Sequence, residues 1–241
     1  MSTPLLILAG GLATRLKGLA KDTPKYLQPI DEKNVFADIH LRWAAHHGFK
    51  RVFLSVGHLG ELIEKHCGNG AKYGLELSYL FDGEKPLGTG GAVRGALKFP
   101  FESLAITYGD TLLSVPVSDF LAAFENSKLE GAMTVYRNKV PGHVCNADLR
   151  AAGTLVTYDK KSPQSDWAYI DYGFLALKRS AIEQASDETP FDLALPLSRL
   201  SRRDQLRGFE IKERFWEIGS PEALDEFRQT FRDDSKRLYD N

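Results

Sequence analysis

The sequence predicts an α/β fold organised around a central, mostly parallel sheet, and three observations predict it. A short apolar run, Leu5 to Ala9, is cut off by Gly10 and Gly11. A second run of the same kind follows at Val52 to Val56. Between them, Val35, Phe36, Ile39, Trp43 and Ala44 fall at the i, i+3, i+4, i+7 type of spacing that gives a helix one apolar face. A continuous apolar run reads as a strand buried on both faces, and a helix between two such strands is the crossover of a βαβ unit.

The alternation continues along the chain. Leu59 to Cys67 reads as a helix, Leu75 to Phe81 as a strand, Gly90 to Leu97 as a helix and Ser103 to Thr107 as a strand. Beyond this the pattern is less regular. Ala132 to Arg137, Leu155 to Tyr158 and Gly173 to Leu177 read as shorter strands divided by polar loops, which suggests mixed or antiparallel additions. From Pro221 the pattern is helical and becomes strongly charged after Arg228, as expected of a solvated last helix. With 241 residues and 43% hydrophobic content, one domain over 1–241 is expected.

Composition excludes several classes of function. A formal net charge of -1 gives no basic field, so nucleic acid is not expected as a partner and any anion must be met locally. Cys67 and Cys145 are too few for a disulfide framework and wrongly spaced for zinc. The five apolar residues before Gly10 make neither a signal-peptide core nor a membrane span. A cytoplasmic protein with no membrane partner is expected. The six histidines show no metal-ligand spacing.

In an open α/β sheet, ligands sit where the carboxyl ends of strands meet loops. Gly10 and Gly11 stand at such a place, and glycines let backbone N–H groups approach an anion closely. Thr14, Arg15 and Lys25 follow as directed donors, so a triphosphate is the natural candidate. Two familiar phosphate loops fail on spacing. Gly10 and Gly11 are adjacent, which rules out G-x-G-x-x-G, and no Gly-Lys is followed by Ser or Thr. A dinucleotide reductase and a P-loop ATPase both lose ground; the plain alternative is a tight turn beside solvated cations.

The stretch Gly10-Gly11-Leu-Ala-Thr14-Arg15-Leu, followed by Pro24-Lys25, resembles the signature of the sugar-1-phosphate nucleotidyltransferases. The resemblance implies a Rossmann-like three-layer αβα sandwich of the GT-A-like nucleotidyltransferase type, with a sugar-binding portion at roughly 132–215. It implies that Gly10, Gly11 and Thr14 wrap the nucleoside triphosphate with Leu8 at the strand end, and that Arg15 and Lys25 are the catalytic cations. Tyr26 stands where the family often has proline or alanine. Further motifs follow in family order. Glu84-Lys-Pro-Leu-Gly88-Thr89-Gly90 is similar to the family's nucleoside-recognition stretch, Tyr108-Gly109-Asp110 to its metal-aspartate segment, and Asp159-Lys160 to its Glu-Lys-Pro segment. Ile170-Asp171-Tyr172-Gly173 resembles the segment that binds sugar hydroxyls, and Trp216-Glu217-Ile-Gly-Ser-Pro the family's second metal segment, with Glu217 in place of aspartate.

From these the resemblance implies Tyr108, Lys160, Asp171 and Gly173 at the sugar phosphate and Mg2+ on Asp110 and Glu217. The partners expected are a nucleoside triphosphate and a sugar 1-phosphate; a homo-oligomer is compatible with the sequence. No β-helix acyltransferase lobe or allosteric lobe is expected. Guanine presents two adjacent donors that one carboxylate can accept, and Glu84 could supply it. The short chain and its Pro-Leu-Gly-Thr-Gly-Gly-Ala stretch resemble the manno-heptose 1-phosphate and mannose 1-phosphate guanylyltransferase branch. Cytidylyl or uridylyl transfer to another sugar phosphate or a phospho-alcohol on the same scaffold is the alternative within the class, and a non-catalytic nucleotide-sugar sensor the alternative outside it.

Overall fold

The computed structural model describes residues 2–11, 22–83, 85–138, 144–151, 153–186 and 188–233. Thr14, Arg15 and Glu84 lie outside them. In chain order the elements are β1 (Leu5–Leu8), α1 (Phe36–His46), β2 (Arg51–Val56), α2 (Gly60–Cys67), β3 (Glu76–Phe81), α3 (Gly88–Gly95), β4 (Ser103–Tyr108), β5 (Thr111–Leu112) and α4 (Val117–Ser127). They continue with β6 (Gly131–Arg137), β7 (Ala147–Arg150), β8 (Leu155–Tyr158), β9 (Tyr169–Lys178), α5 (Arg179–Glu183), α6 (Ala194–Arg202), β10 (Leu206–Ile211), β11 (Trp216–Glu217) and α7 (Pro221–Asp233). No helix among the described residues is long and apolar enough to cross a membrane.

The chain divides into two compact units: Met1–Pro86 with Thr107–Ser114 and Phe215–Asn241, and Leu87–Ile106 with Val115–Arg214. In the first, β3, β2 and β1 lie side by side in parallel, with Leu5 opposite Val52 and Arg51 opposite Glu76. Leu5, Leu6 and Ile7 are fully buried, as a continuous apolar run demands. Helix α1 begins where the Asp38 carboxylate accepts the N–H of Val35, 3.0 Å away, satisfying one of the free donors at the helix start. Its buried face presents Phe36, Ile39 and Trp43, and Phe227 of α7 meets Phe36 edge-on at 5.4 Å. The expected C-terminal helix is present over Pro221–Asp233.

The second unit carries the strand order β9-β6-β10-β8-β7. Here β6 and β10 are parallel, while β6–β9, β10–β8 and β7–β8 are antiparallel. This is the mixed region that the shorter, less regular runs suggested. Phe120 of α4 packs against Phe174 and Phe209 at 5.2 and 5.6 Å. Two elements differ from expectation in ways that bear on function. Helix α3 starts at Gly88, two residues early, so Gly88, Thr89 and Gly90 form its first turn. Strand β9 extends back to Tyr169 from the expected start at Gly173, so Asp171 lies inside the strand rather than before it.

Candidate active site

In the first unit the carboxyl ends of β1 and β4 come together. The Gly109 N–H donates to the Leu8 carbonyl at 2.9 Å, and a Cβ on Gly109 would stand 2.8 Å from the Ala9 Cα. The glycine of Tyr108-Gly109-Asp110 is therefore a packing requirement: only a residue without a side chain lets this strand end close on Ala9. Its consequence is the position of Asp110, held directly beside the turn that leaves β1. Gly10 makes a comparable approach to Gly57, whose added Cβ would lie 2.9 Å from the Gly10 carbonyl oxygen. Gly11 differs, since a Cβ there would meet nothing within 4 Å among the described residues.

Lys25 follows Pro24 in a single 3-10 turn, Lys25–Leu27, and its Nζ lies 2.7 Å from Asp110 Oδ2. The lysine side chain is 12% exposed and the aspartate 29%, so this is a partly shielded pair open on the carboxylate side. Strand β11 runs antiparallel to β5 with Glu217 opposite Thr111, and the Ile218 N–H donates to the Asp110 carbonyl at 2.9 Å. Asp110 and exposed Glu217 are thus neighbours across a two-stranded ladder. The Leu113 carbonyl just downstream accepts from Trp43 Nε1 at 3.0 Å, which ties this ladder to α1.

Behind Lys25, Tyr26 turns into the core between Phe36 and His40, at ring distances of 6.1 and 5.8 Å. Burial pushes its hydroxyl pKa well up. His40 is 1% exposed, and burial drives its imidazole pKa down to about 3 against the opposing charge of Asp110. Neither the Tyr26 hydroxyl nor His40 Nδ1 has a hydrogen-bond partner among the described residues.

The second unit gathers the other set. Strand β9 bulges against β6: Met133 faces Leu175 and Val135 faces Asp171, leaving Thr134 opposite three residues. Thr134 Oγ1 fills the gap by donating to the Phe174 carbonyl at 2.8 Å and accepting the Phe174 N–H at 3.1 Å. Gly173 sits in the bulge at φ 99°, a backbone region that side chains disfavour, and its N–H donates to Asp171 Oδ1 at 2.9 Å. Asn146 Oδ1 accepts the Asp171 N–H at 2.8 Å. Burial lifts the Asp171 pKa to about 6, with the Gly173 N–H and Lys160 opposing and Asp192 reinforcing.

Asp159, the residue before Lys160, spends its carboxylate locally. Oδ1 accepts the Lys161 and Ser162 N–H groups at 2.9 and 3.0 Å, and Arg202 donates to Oδ2 at 2.9 Å. Lys160 extends from this turn to Asp192 Oδ2 at 2.8 Å. Gly88 (φ 74°) and Gly90 start α3 against Phe191, whose carbonyl accepts the Gly90 N–H at 2.9 Å. Sequence reasoning missed Asp192. Its one signal, an acid just before the apolar-periodic run that begins at Leu193, is the signature of any helix cap.

A glycine pair leaving β1, a partly shielded lysine–aspartate pair and a neighbouring carboxylate are gathered in the first unit of an α/β protein. The chain belongs to the nucleotidyl transferase family, whose pattern matches residues 5–143. Among curated proteins it is similar to the D-glycero-alpha-D-manno-heptose 1-phosphate guanylyltransferase of Campylobacter jejuni, 36% identical over 113 residues, covering 47% of this chain and 50% of that protein. The protein of the same description from Aneurinibacillus thermoaerophilus is 31% identical over 157 residues, covering 65% of this chain and 64% of its own length. The matches thus span less than two thirds of either relative. Among solved structures, HddC from Yersinia pseudotuberculosis complexed with GMP-PN superposes with a TM-score of 0.77 at 21% identity, covering 95% of this chain and 99% of that one. The α/β class with a mostly parallel sheet, expected from the alternation of short runs, is the fold these neighbours share.

Proposed function

We propose that this chain transfers a nucleoside monophosphate from a nucleoside triphosphate to a sugar 1-phosphate and releases pyrophosphate. GTP is the proposed donor, and D-glycero-alpha-D-manno-heptose 1-phosphate or mannose 1-phosphate the acceptor. The Lys25–Asp110 pair at 2.7 Å, beside the turn after β1, carries the reading. The reading is supported by a cation and a carboxylate held together beside the strand end from which Gly10 and Gly11 leave, and it assigns Gly10, Gly11 and Thr14 to wrap the triphosphate. At Gly11 an added Cβ would meet nothing within 4 Å among the described residues, which supports close approach of a ligand to the backbone.

In this reading a sugar-phosphate oxygen attacks the α-phosphorus, and the bond to the bridging oxygen of pyrophosphate breaks. The nucleophile is already anionic at neutral pH, so the protein's task is to align two anions and neutralise developing charge. Arg15 and Lys25 serve the departing pyrophosphate. Lys160 meets the sugar phosphate, Asp171 and the Gly173 backbone the sugar hydroxyls, and Tyr108 flanks them. Gly88, Thr89 and Gly90 line the nucleoside, and Glu84 accepts the two donors of guanine. The guanylyltransferase relatives and the neighbour complexed with GMP-PN support the choice of base.

Relatives in this family generally use a divalent cation, and we assign it here as Mg2+ on Asp110 and Glu217. The donors fit, since Mg2+ takes one or two carboxylates and completes its shell with phosphate oxygens and water. When bound, the cation supplies charge neutralisation at the phosphates. Among the described residues no group of three or more His, Cys, Asp or Glu side chains is clustered.

The test is Mg2+-dependent pyrophosphate release from GTP, CTP, UTP, ATP and dTTP separately, each with pooled sugar 1-phosphates that include mannose and manno-heptose forms. Release with GTP alone is the expected result. Release with another base keeps the transferase and discards guanine; silence with all five overturns the transferase reading in favour of a sensor.

A further inference from the structure

Lys160 does not stand alone in solvent. Its Nζ is 2.8 Å from Asp192 Oδ2, while Asp192 Oδ1 accepts the Ala194 N–H at 2.9 Å and the Thr89 hydroxyl at 3.3 Å. Thr89 Oγ1 in turn accepts the Leu193 N–H at 2.9 Å. On either side of it, Gly90 N–H donates to the Phe191 carbonyl at 2.9 Å and Phe191 N–H to the Leu87 carbonyl at 3.2 Å. One carboxylate thus joins three segments distant in sequence: the first turn of α3, the turn after β8 and the start of α6.

We propose that Asp192 is a positioning residue that orders the Lys160 ammonium for a sugar phosphate and fixes it relative to Thr89 at the nucleoside loop. The inference deepens the transferase reading and rests on it for the identity of the phosphate. Stability does not account for the pair. Lys160 is 55% exposed and Asp192 49%, and an ion pair so wetted contributes little to folding. What it does is limit a four-carbon side chain that otherwise samples many rotamers. A lysine has three N–H donors, so one spent on Asp192 leaves two for phosphate oxygens. Asp192 is itself well suited to anchor. Its Oδ1 is held by a backbone N–H at the start of a nine-residue helix, where the helix dipole favours a negative charge. Burial raises its pKa, but the lysine, the Ala194 N–H and Thr89 together outweigh that and keep it ionised.

Asp192→Asn separates the roles. It keeps Oδ1 for Ala194 and Thr89, and asparagine caps helices as well as aspartate, so the fold and the α3 loop should hold. With GTP and mannose 1-phosphate, we expect the variant to melt within a degree or two of wild type. Its KM for the sugar 1-phosphate should rise about three- to tenfold, the worth of ordering one long side chain, with the GTP KM within about twofold. In a Lys160→Ala background the same substitution should add nothing. Asp192→Ala, which also deprives Thr89, should raise both KM values. An unchanged sugar-phosphate KM in Asp192→Asn, or an equal effect with and without Lys160, would overturn the inference.

A second measurement does not depend on turnover. With 13Cε-labelled lysines, and Lys160 assigned by its loss in Lys160→Arg, relaxation should show Lys160 more ordered than other exposed lysines and freed by Asp192→Asn. A Lys160 as mobile as the rest in wild type overturns the tether whatever the enzyme does. An ordered Lys160 in a protein that releases no pyrophosphate with any of the five nucleotides refutes the transferase reading and leaves the tether standing.

Discussion

The ammonium of Lys25 lies 2.7 Å from the Asp110 carboxylate, although 85 positions separate them in the chain. Two features of the backbone produce that approach: Pro24, which sets the turn carrying Lys25, and Gly109, which lets the end of β4 close on Ala9. Lys25→Met keeps the stem and deletes the charge. Turnover should fall by roughly 100-fold or more, the usual cost of losing one transition-state donor. Asp110→Ala should likewise cut turnover by orders of magnitude in a folded protein. Each single change leaves a partly shielded charge unpaired, so the double variant should be less destabilised than the two singles predict, with a coupling of about 0.5–3 kcal/mol in denaturant melts. Near wild-type rates in both singles would reject the assignment of this pair.

Gly173→Ala tests the bulge that presents Asp171. At φ 99° an alanine is strained, and a residue held in such a region costs about 1–3 kcal/mol. Urea unfolding should show that loss. Since Asp171 Oδ1 depends on the Gly173 N–H, the affinity for sugar phosphate should fall along with stability. An unaffected midpoint would mean the bulge relaxes freely and does not hold Asp171.

Asp171 also predicts a pH dependence. Its folded pKa of about 6 lies above the ordinary aspartate value of 3.8, so between those values the native state binds more protons than the unfolded chain. Stability contributed by this group is therefore present at acid pH and is lost as pH rises from about 4 through about 6. Asp171→Asn retains an acceptor for Gly173 and cannot ionise. We expect a higher Tm than wild type at pH 7, a flatter Tm profile from pH 4 to 6, and weaker sugar-phosphate binding. An identical Tm profile in the two proteins would remove Asp171 as the titrating group.

What the sequence made legible was set by the range of the interactions involved. Leu5 to Ala9, Val52 to Val56 and Val35 to His47 could be read because burial imposes a period on neighbouring residues. The loops could be read because glycine, lysine and aspartate at strand ends carry a recognisable spacing. The bulge in β9 was only partly legible: a lone glycine inside a strand-like run hints at one, but its register is set by Thr134 on another strand. Asp192 was hidden for the same reason, being a plain helix cap until Lys160 and Thr89 reach it from 32 and 103 positions away. Helix α6 is harder to read because Pro196 and buried Ser198 and Ser201 interrupt its apolar face, whereas α4 carries Val117, Phe120, Leu121 and Phe124 at plain helical spacing and was legible in the sequence.

His40 gives the acid side of the stability profile. It is surrounded by Tyr26, Phe36 and Trp43 at ring distances of 5.8, 5.6 and 5.6 Å, and its Nδ1 has no partner among the described residues. Burial holds its pKa near 3 against 6.5 for a free imidazole, so the unfolded chain takes up a proton that the native state refuses. The stability is whole above about 6.5 and drains as pH falls toward 3, at up to about 1.4 kcal/mol per pH unit for one proton. This runs opposite to Asp171 between pH 4 and 6, so the two contributions separate only in variants. His40→Leu, apolar and of similar bulk, should lose some stability at neutral pH through imperfect packing, yet show a shallower decline from pH 6 to 4 by urea unfolding. A slope equal to wild type would mean that His40 already gains a proton in the folded state. The Asp110 charge would then have to reach it more strongly than its burial in an aromatic pocket permits.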